Sequence, residues 1–239
     1  FGSRFLVMSR HRGERINIGN LVADVLRPTG QGSAEAGTAA GDAVAVITHP
    51  HPWLGGNMDF PVCVYLQQAM ASLGFTAVRF NFRGVGGSKG WSTIRGTSER
   101  EDIAQICEHA QTQLGATKVL LLGYSYGSCV ALGALPDVDV AKGAVIVSLP
   151  LGGPVWWLLG HHFTAAASCT KPRLFVNGDQ DSFMAEHSFY TTAETAVEPR
   201  QIEVVEGADH FWHSPEAVES LLRIVRDWVS AGSWLRSGP

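Results

Sequence analysis

The sequence predicts an α/β fold: a mostly parallel β-sheet of about eight strands, with helices on both faces, in a single domain. Short runs rich in valine, isoleucine and leucine alternate with longer segments of helical periodicity along most of the chain. Strands that are apolar on both sides are typical of parallel sheets covered by helices. The 239 residues, 45% of them hydrophobic, are enough to build one large core.

The elements follow one another in a regular order. Two strands, at 5–9 and 21–26, are predicted to be joined by a polar turn, and the small residues of 28–42 are predicted to form a flexible surface loop. Further strands are predicted at 43–49, 75–82, 118–123, 143–149, 173–177 and 201–206. Helices are predicted at 61–73, 98–114 and 126–135, with a last helix from residue 214 onward.

Two of these helices carry start signals. Ser98 and Glu101 form a capping-box pattern, and Ser214 is a good cap because Pro215 follows it at the first helical position. The last helix has an apolar stripe at helical spacing, formed by Val218, Leu221, Leu222, Val225 and Trp228.

Composition excludes several classes of partner. The net charge of −4 gives no basic excess to hold a nucleic acid or an anionic membrane. No apolar run reaches the roughly 18–20 residues of a membrane span. The four cysteines are widely spaced and predict neither a disulfide scaffold nor a thiolate zinc site, which fits a reducing compartment. We therefore expect a cytoplasmic protein, although a chain that begins at Phe1 leaves room for an upstream targeting segment.

The sequence GYSYG at 123–127 matches the pattern G-x-S-x-G, between a predicted strand and a predicted helix. In that setting a strained turn exposes the Ser125 hydroxyl at the carboxyl end of the strand. The N–H of Tyr126, at the positive end of the helix, then points to where an oxyanion forms. The alternative is a turn with a structural role only.

A serine nucleophile needs a base and a group that orients the base, in the chain order serine, acid, histidine. Asp181 and His210 follow predicted strand ends in that order. Asp179 competes with Asp181, which we prefer because it lies deeper in its loop. His213 competes with His210, which we prefer because His213 directly precedes a helix cap and is expected to be structural.

A second oxyanion donor is expected from the loop at 48–62. Its prolines at 50 and 52 have no N–H, which leaves His51, Trp53 and Leu54 as donors, and His51 is our choice.

Five motifs in order give the chain its resemblance to a known family: HPHP…GG.M at 49–58, RFNFRGVG at 79–86, GYSYG, GDQD at 178–181 and DHFWH at 209–213. With these motifs the chain resembles the α/β-hydrolase superfamily, and most of all its small, nearly lidless bacterial-type serine hydrolases. The resemblance implies Ser125 as nucleophile, Asp181 as acid, His210 as base, and Tyr126 with the 49–54 loop as the oxyanion hole.

The implied activity is hydrolysis of a small-molecule acyl substrate, an ester or thioester of modest size. A serine peptidase or an acyltransferase would use the same residues, and a non-catalytic hydrolase-like binding protein is the alternative from another class. Neither the composition nor any motif specifies an oligomeric state.

No cofactor is predicted. The segment FRGVGGSKG at 82–90 fails both the dinucleotide fingerprint and the phosphate-loop pattern, so we expect Arg83 to anchor a tight loop rather than bind substrate. The histidines lack a recognised metal-ligand spacing, so no metal site is predicted.

The segment 151–171 is too short for a lid domain. Its Trp156 and Trp157 form either a wall of an acyl pocket or part of a helix packed on the core. We favour the core interpretation because aromatic clusters mostly pack. With Trp53 and Tyr124 they are the candidates for lining a substrate pocket.

Overall fold

Eight strands form a single sheet in the computed structural model, which describes residues 13–28 and 42–235. The strands are β1 (Glu14–Ile18), β2 (Leu21–Leu26), β3 (Ala43–Thr48), β4 (Thr76–Phe80), β5 (Lys118–Tyr124), β6 (Ala141–Val147), β7 (Arg173–Gln180) and β8 (Arg200–Asp209). Their spatial order is β1-β2-β4-β3-β5-β6-β7-β8. The predicted fold class, a mostly parallel sheet of about eight strands, is confirmed.

Helices cover both faces of this sheet. They are α1 (Pro61–Ser72), α2 (Glu99–Leu114), α3 (Tyr126–Ala134), α4 (Val155–Ala166), α5 (Glu186–Ala193) and α6 (Pro215–Ser230). Helices α1 and α6 pack on one face in one buried cluster, and the other four contribute to a second cluster on the opposite face. The central strands are buried on both sides, which explains their near-continuous apolar sequences.

The direction of the strands fixes where a site can form. Strand β2 runs antiparallel to β1 and to β4, whereas β4, β3, β5, β6, β7 and β8 are mutually parallel. We call the edge of the sheet at which these six strands end the carboxyl edge. The loops that follow them meet there, at 49–60, 81–98, 148–154, 181–185 and 210–214.

The amino-terminal prediction needs a correction. The polar turn expected before β2 contains strand β1, which pairs antiparallel with β2 through a two-residue turn at Gly19 and Asn20. Gly19 has a φ of 58°, as a tight hairpin requires, so this dipeptide was a hairpin signal that the prediction missed. The predicted strand at 5–9 and nearly all of the 28–42 loop lie outside the described residues.

Two further expectations were wrong in detail. Strand β8 extends to Asp209, beyond its predicted end at 206, because β7 is also longer than predicted and the pairing continues to Gln180 and Asp209. Ser98 has a helical conformation and makes no capping hydrogen bond, so the capping box does not form. At the last helix the Ser214 hydroxyl does accept the N–H of Ala217, as predicted.

Candidate active site

The turn between β5 and α3 holds Ser125 in an unusual backbone conformation, with φ 54° and ψ −124°. Such a conformation is rare for a residue with a side chain and persists only where the surroundings enforce it. Two glycines allow the close packing that does so. A Cβ on Gly123 would lie 2.5 Å from the carbonyl oxygen of Gly127, and one on Gly127 would lie 2.6 Å from the carbonyl oxygen of His49.

Three predicted side chains meet at the carboxyl edge. The Oγ of Ser125 lies 2.9 Å from Nε2 of His210, and Nδ1 of His210 lies 2.8 Å from Oδ2 of Asp181. All three residues are buried, and they arrive from the ends of β5, β8 and β7. The distances form one continuous hydrogen-bonded series from hydroxyl to carboxylate.

Neighbouring groups hold the imidazole of His210 in place. The ring of Phe183 lies over it, with centroids 4.1 Å apart, and the N–H of Phe183 donates to Oδ1 of Asp181 over 2.8 Å. The hydroxyl of Tyr124 donates to the carbonyl oxygen of His210 over 2.8 Å. The prediction that Tyr124 lines a substrate pocket is wrong, because its side chain is fully buried. Its hydroxyl instead holds the backbone of His210.

The competing residues have other partners. Oδ1 of Asp179 accepts the N–H of Gly207 over 2.7 Å, which ties the end of β7 to β8. His213 is mostly exposed, and its Nδ1 lies 2.5 Å from Oδ2 of Asp209. Asp179 therefore stabilises the pairing of β7 with β8, and His213 stabilises the loop after β8.

The first part of the 49–60 loop, residues 49–56, lies against the start of α3. The imidazole of His51 packs edge-on against the ring of Tyr126, with centroids 4.6 Å apart. The N–H of Trp53 donates to Nδ1 of His51, and the N–H of Leu54 donates to its carbonyl oxygen. Two of the three possible oxyanion donors are thus engaged, whereas the N–H of His51 has no acceptor within the described part of the chain.

His49 anchors the same loop from inside the core. Its Nε2 accepts the N–H of Phe82 over 3.0 Å, so Nδ1 carries the proton and donates to the carbonyl oxygen of Pro50. Burial lowers the pKa of His49 from 6.5 to about 4. A neutral imidazole of fixed tautomer therefore joins this loop to Phe82, two residues beyond the end of β4.

The 81–98 loop is fixed by side chains of α2. The guanidinium of Arg83 donates to Asp102 through Nε and Nη2, consistent with the anchoring role expected for it. The fully buried Glu99 accepts the N–H of Thr93 over 2.6 Å, and the carbonyl oxygen of Thr93 accepts the Tyr126 hydroxyl over 2.9 Å. This support by Glu99 and Thr93 was missed because no motif marks it.

The tryptophans expected to pack in the core do not do so. Trp157 is 82% exposed and Trp156 is 41% exposed, because α4 turns Leu159 and Phe163 inward instead. The core interpretation is therefore wrong for Trp157 and only partly right for Trp156. Trp53 is also exposed, at 72%, so all three lie at the surface of the carboxyl edge.

The described residues contain neither a metal-ligand cluster nor a membrane-spanning helix. Over residues 13–28 and 42–235, no three histidine, cysteine, aspartate or glutamate side chains converge as a metal site requires. No helix in that part of the chain has the length and apolar character needed to cross a bilayer.

Comparison with known proteins finds similarity to proteins of the α/β-hydrolase fold. The profile of a family described as "alpha/beta hydrolase fold" matches residues 51–149. A solved structure of an alpha-beta serine hydrolase homologue from Coxiella burnetii is 26% identical, with a TM-score of 0.76, over 92% of this chain and 98% of that one.

Two other proteins are similar over most of their lengths. A Xanthomonas campestris protein, described as an α/β serine hydrolase without lid, is 25% identical with a TM-score of 0.70, over 92% of this chain and 91% of that one. An uncharacterised protein of Rickettsia prowazekii is 27% identical over 205 residues, which are 83% of each chain.

Proposed function

Because the chain is a member of the α/β-hydrolase superfamily, we propose that it is a serine hydrolase that cleaves a carboxylic ester or thioester of modest size. The observation that carries the proposal is the series Ser125–His210–Asp181, with its two distances of 2.9 and 2.8 Å. A protein that only binds ligands has no need of this arrangement.

In the proposed acylation step, Ser125 Oγ bonds to the acyl carbon while its proton passes to Nε2 of His210. Asp181 accepts a hydrogen bond from Nδ1 and stabilises the imidazolium that forms. The bond to the alcohol or thiol then breaks, and His210 returns its proton to that leaving group. The product of this step is an acyl ester of Ser125.

Deacylation repeats these roles with water. His210 takes a proton from the water, whose oxygen attacks the acyl carbon, and then returns the proton to Ser125 as the free acid leaves. In both steps negative charge develops on the acyl oxygen. We assign its stabilisation to the N–H groups of Tyr126, at the start of α3, and His51, which has no acceptor among the described residues.

Labelling with a fluorophosphonate probe tests the proposal. Wild-type protein is expected to form one adduct on Ser125, identified by peptide mass spectrometry, and Ser125→Ala is expected to form none. Ser182→Ala removes an exposed serine from the 181–185 loop and should label like wild type. Folded wild-type protein that remains unlabelled would favour the binding-protein alternative.

A panel of activated esters and thioesters of increasing acyl length then tests the substrate class. We expect turnover that Ser125→Ala reduces to the background rate, since removing a nucleophile typically costs about 10⁶-fold in kcat. Wild-type rates from the Ser125→Ala protein would show that the nucleophile is assigned wrongly.

A further inference from the structure

Exposed apolar side chains are concentrated at the carboxyl edge. Nine large hydrophobic residues are exposed within the described ranges, and eight of them follow the ends of the parallel strands. The exception is Val197, which precedes β8 at the opposite edge. We define the apolar rim as six of the eight: Trp53, Leu54, Trp91, Ile94, Trp156 and Trp157.

The three segments that carry the apolar rim are held together around Tyr126 and the 81–98 loop. The ring of His51 packs on the Tyr126 ring, and the Tyr126 hydroxyl donates to the carbonyl oxygen of Thr93. From α4, Nε2 of His162 donates to the carbonyl oxygen of Arg95 over 2.7 Å. Two of these segments therefore contact Tyr126, the residue that follows Ser125, and the third contacts the 81–98 loop.

The charge at this surface differs from that of the whole chain. Although the net charge is −4, the 81–98 loop has three basic residues and no acidic one. Arg83 is paired with Asp102, but Lys89 and Arg95 are exposed and form no ion pair with any described residue. These two cations flank Trp91 and Ile94 in the sequence.

We propose that the apolar rim docks on the surface of an anionic lipid bilayer. Trp91 and Trp157, 90% and 82% exposed, would lie among the headgroups, where indole rings are favoured, with Lys89 and Arg95 against the phosphates. A symmetric dimer through the same face would bring the four cations of two copies together, so charge favours lipid over a second copy. The proposal does not depend on the reaction at Ser125.

Cosedimentation with vesicles of phosphatidylcholine, alone or with about one third phosphatidylglycerol, tests the proposal. The full chain is expected to bind the anionic vesicles, and high salt is expected to weaken the binding. Neutralising both cations in Lys89→Gln/Arg95→Gln should lower partitioning into anionic vesicles about thirtyfold. Trp91→Ala/Trp157→Ala should lower it at least about tenfold on either vesicle.

Matched controls come from the opposite edge of the sheet. Val197→Ala removes an exposed apolar side chain, and Lys142→Gln removes an exposed cation near the start of β6. Both controls should bind like wild type. If they lose as much binding as the rim variants, or if wild type binds neither vesicle, the proposal is wrong.

Sedimentation velocity tests the alternative that the apolar rim binds a second copy of this chain. A dimer that Trp157→Ala dissociates, in a protein that binds no vesicles, would assign the apolar rim to self-association and reject lipid docking. Vesicle binding by Ser125→Ala is expected to equal that of wild type. Wild-type protein that binds vesicles but is not labelled by fluorophosphonate would contradict the hydrolase proposal and leave the lipid-docking proposal standing.

Discussion

Asp179, near the end of β7, and Asp181, directly after β7, are two carboxylates with different partners. Asp181 reaches His210, whereas Asp179 accepts the N–H of Gly207 and joins the ends of β7 and β8. Their spacing of two residues lets the chain present one carboxylate to the histidine and the other to the neighbouring strand. This difference makes them a matched pair for mutagenesis.

Asp181→Asn is expected to lower kcat for the best ester of the panel about 10³–10⁴-fold, because an amide favours the wrong imidazole tautomer. Asp179→Asn keeps an oxygen that can accept the Gly207 N–H and should stay within about threefold of wild type. Steady-state kinetics of both variants checks the prediction. Equal losses from the two would mean that the acid is not Asp181.

Two residues at the carboxyl edge have a strained backbone that no sequence motif predicts. Ser125, Ser148 and Trp212 are the non-glycine residues with positive φ in the described chain, and each follows the end of a strand. The indole N–H of Trp212, in the same loop as His210, donates to the Ser148 hydroxyl over 2.9 Å. The G-x-S-x-G pattern predicts strain at Ser125 alone, because the other pair depends on contacts between β6 and the β8 loop.

At the scale of elements, the crossing of α3 over β3 and β5 depends on the absence of side chains at two positions. Gly127 faces the backbone of Thr48 and His49, where nothing can yield by changing a rotamer. A helix displaced by even a few tenths of an ångström would also displace the N–H of Tyr126. Both the packing of α3 and the position of the Tyr126 N–H therefore require glycine at position 127.

Gly127→Ala is expected to reduce the free energy of unfolding by about 3 kcal/mol, because its Cβ would meet backbone atoms. Gly115→Ala is the control: its φ is 70°, but nothing lies within 4 Å of a Cβ, so only about 1 kcal/mol of backbone strain is expected. Urea denaturation of both variants measures the two losses. A loss at Gly127 no larger than at Gly115 would show that α3 can move aside.

Periodicity predicted the buried elements and failed at polar pairings. Strands β3 to β6 and helices α1 to α3 lie within a few residues of their predicted positions, because burial on both sides leaves a clear apolar pattern. Strand β1 and the end of β8 carry mostly polar or partly exposed residues and exist through pairing with a neighbour. Such pairing depends on the partner strand, so apolar periodicity does not reveal it, and for β1 the signal in the sequence is the Gly19-Asn20 turn.

At the scale of the whole molecule, folding buries histidines in the neutral state. His49 joins the start of the 49–60 loop to Phe82 at the start of the 81–98 loop, and His162 joins α4 to Arg95 of the 81–98 loop. Burial lowers the pKa of each from 6.5 to about 4. Because their ordinary pKa is 6.5, the unfolded chain binds more protons than the folded one between pH 6.5 and 4. Stability is therefore complete above this window and falls as the pH is lowered through it.

Lowering the pH from 7 to 5 is expected to cost about 2 kcal/mol of stability for each of the two histidines. His162→Gln keeps an N–H that can donate to the Arg95 carbonyl oxygen but does not titrate, so its pH dependence should be smaller by about 2 kcal/mol. Urea midpoints at both pH values measure the difference. The prediction is wrong if the variant and wild type lose the same stability.

The surface of the whole molecule was the least predictable level. Trp156 and Trp157 form an aromatic cluster in an apolar segment, and such clusters mostly pack in the core. Their exposure depends on which face of α4 meets α3, where Gly133 lets His162 pack closely. Within α4, Gly160 leaves room for the ring of Trp156. Net charge likewise concealed the local cations of the 81–98 loop, since a sum over the chain carries no positions.

The distribution of tryptophan gives the protein two separate optical reporters. Four of the seven indoles, at 53, 91, 156 and 157, are exposed at the carboxyl edge, and three, at 212, 228 and 234, are buried on the face covered by α1 and α6. An aqueous quencher such as iodide reaches the first group and spares the second. Iodide quenching of the intrinsic fluorescence therefore distinguishes two events. Binding of a molecule over the carboxyl edge should decrease the quenching, and unfolding of the core should increase it.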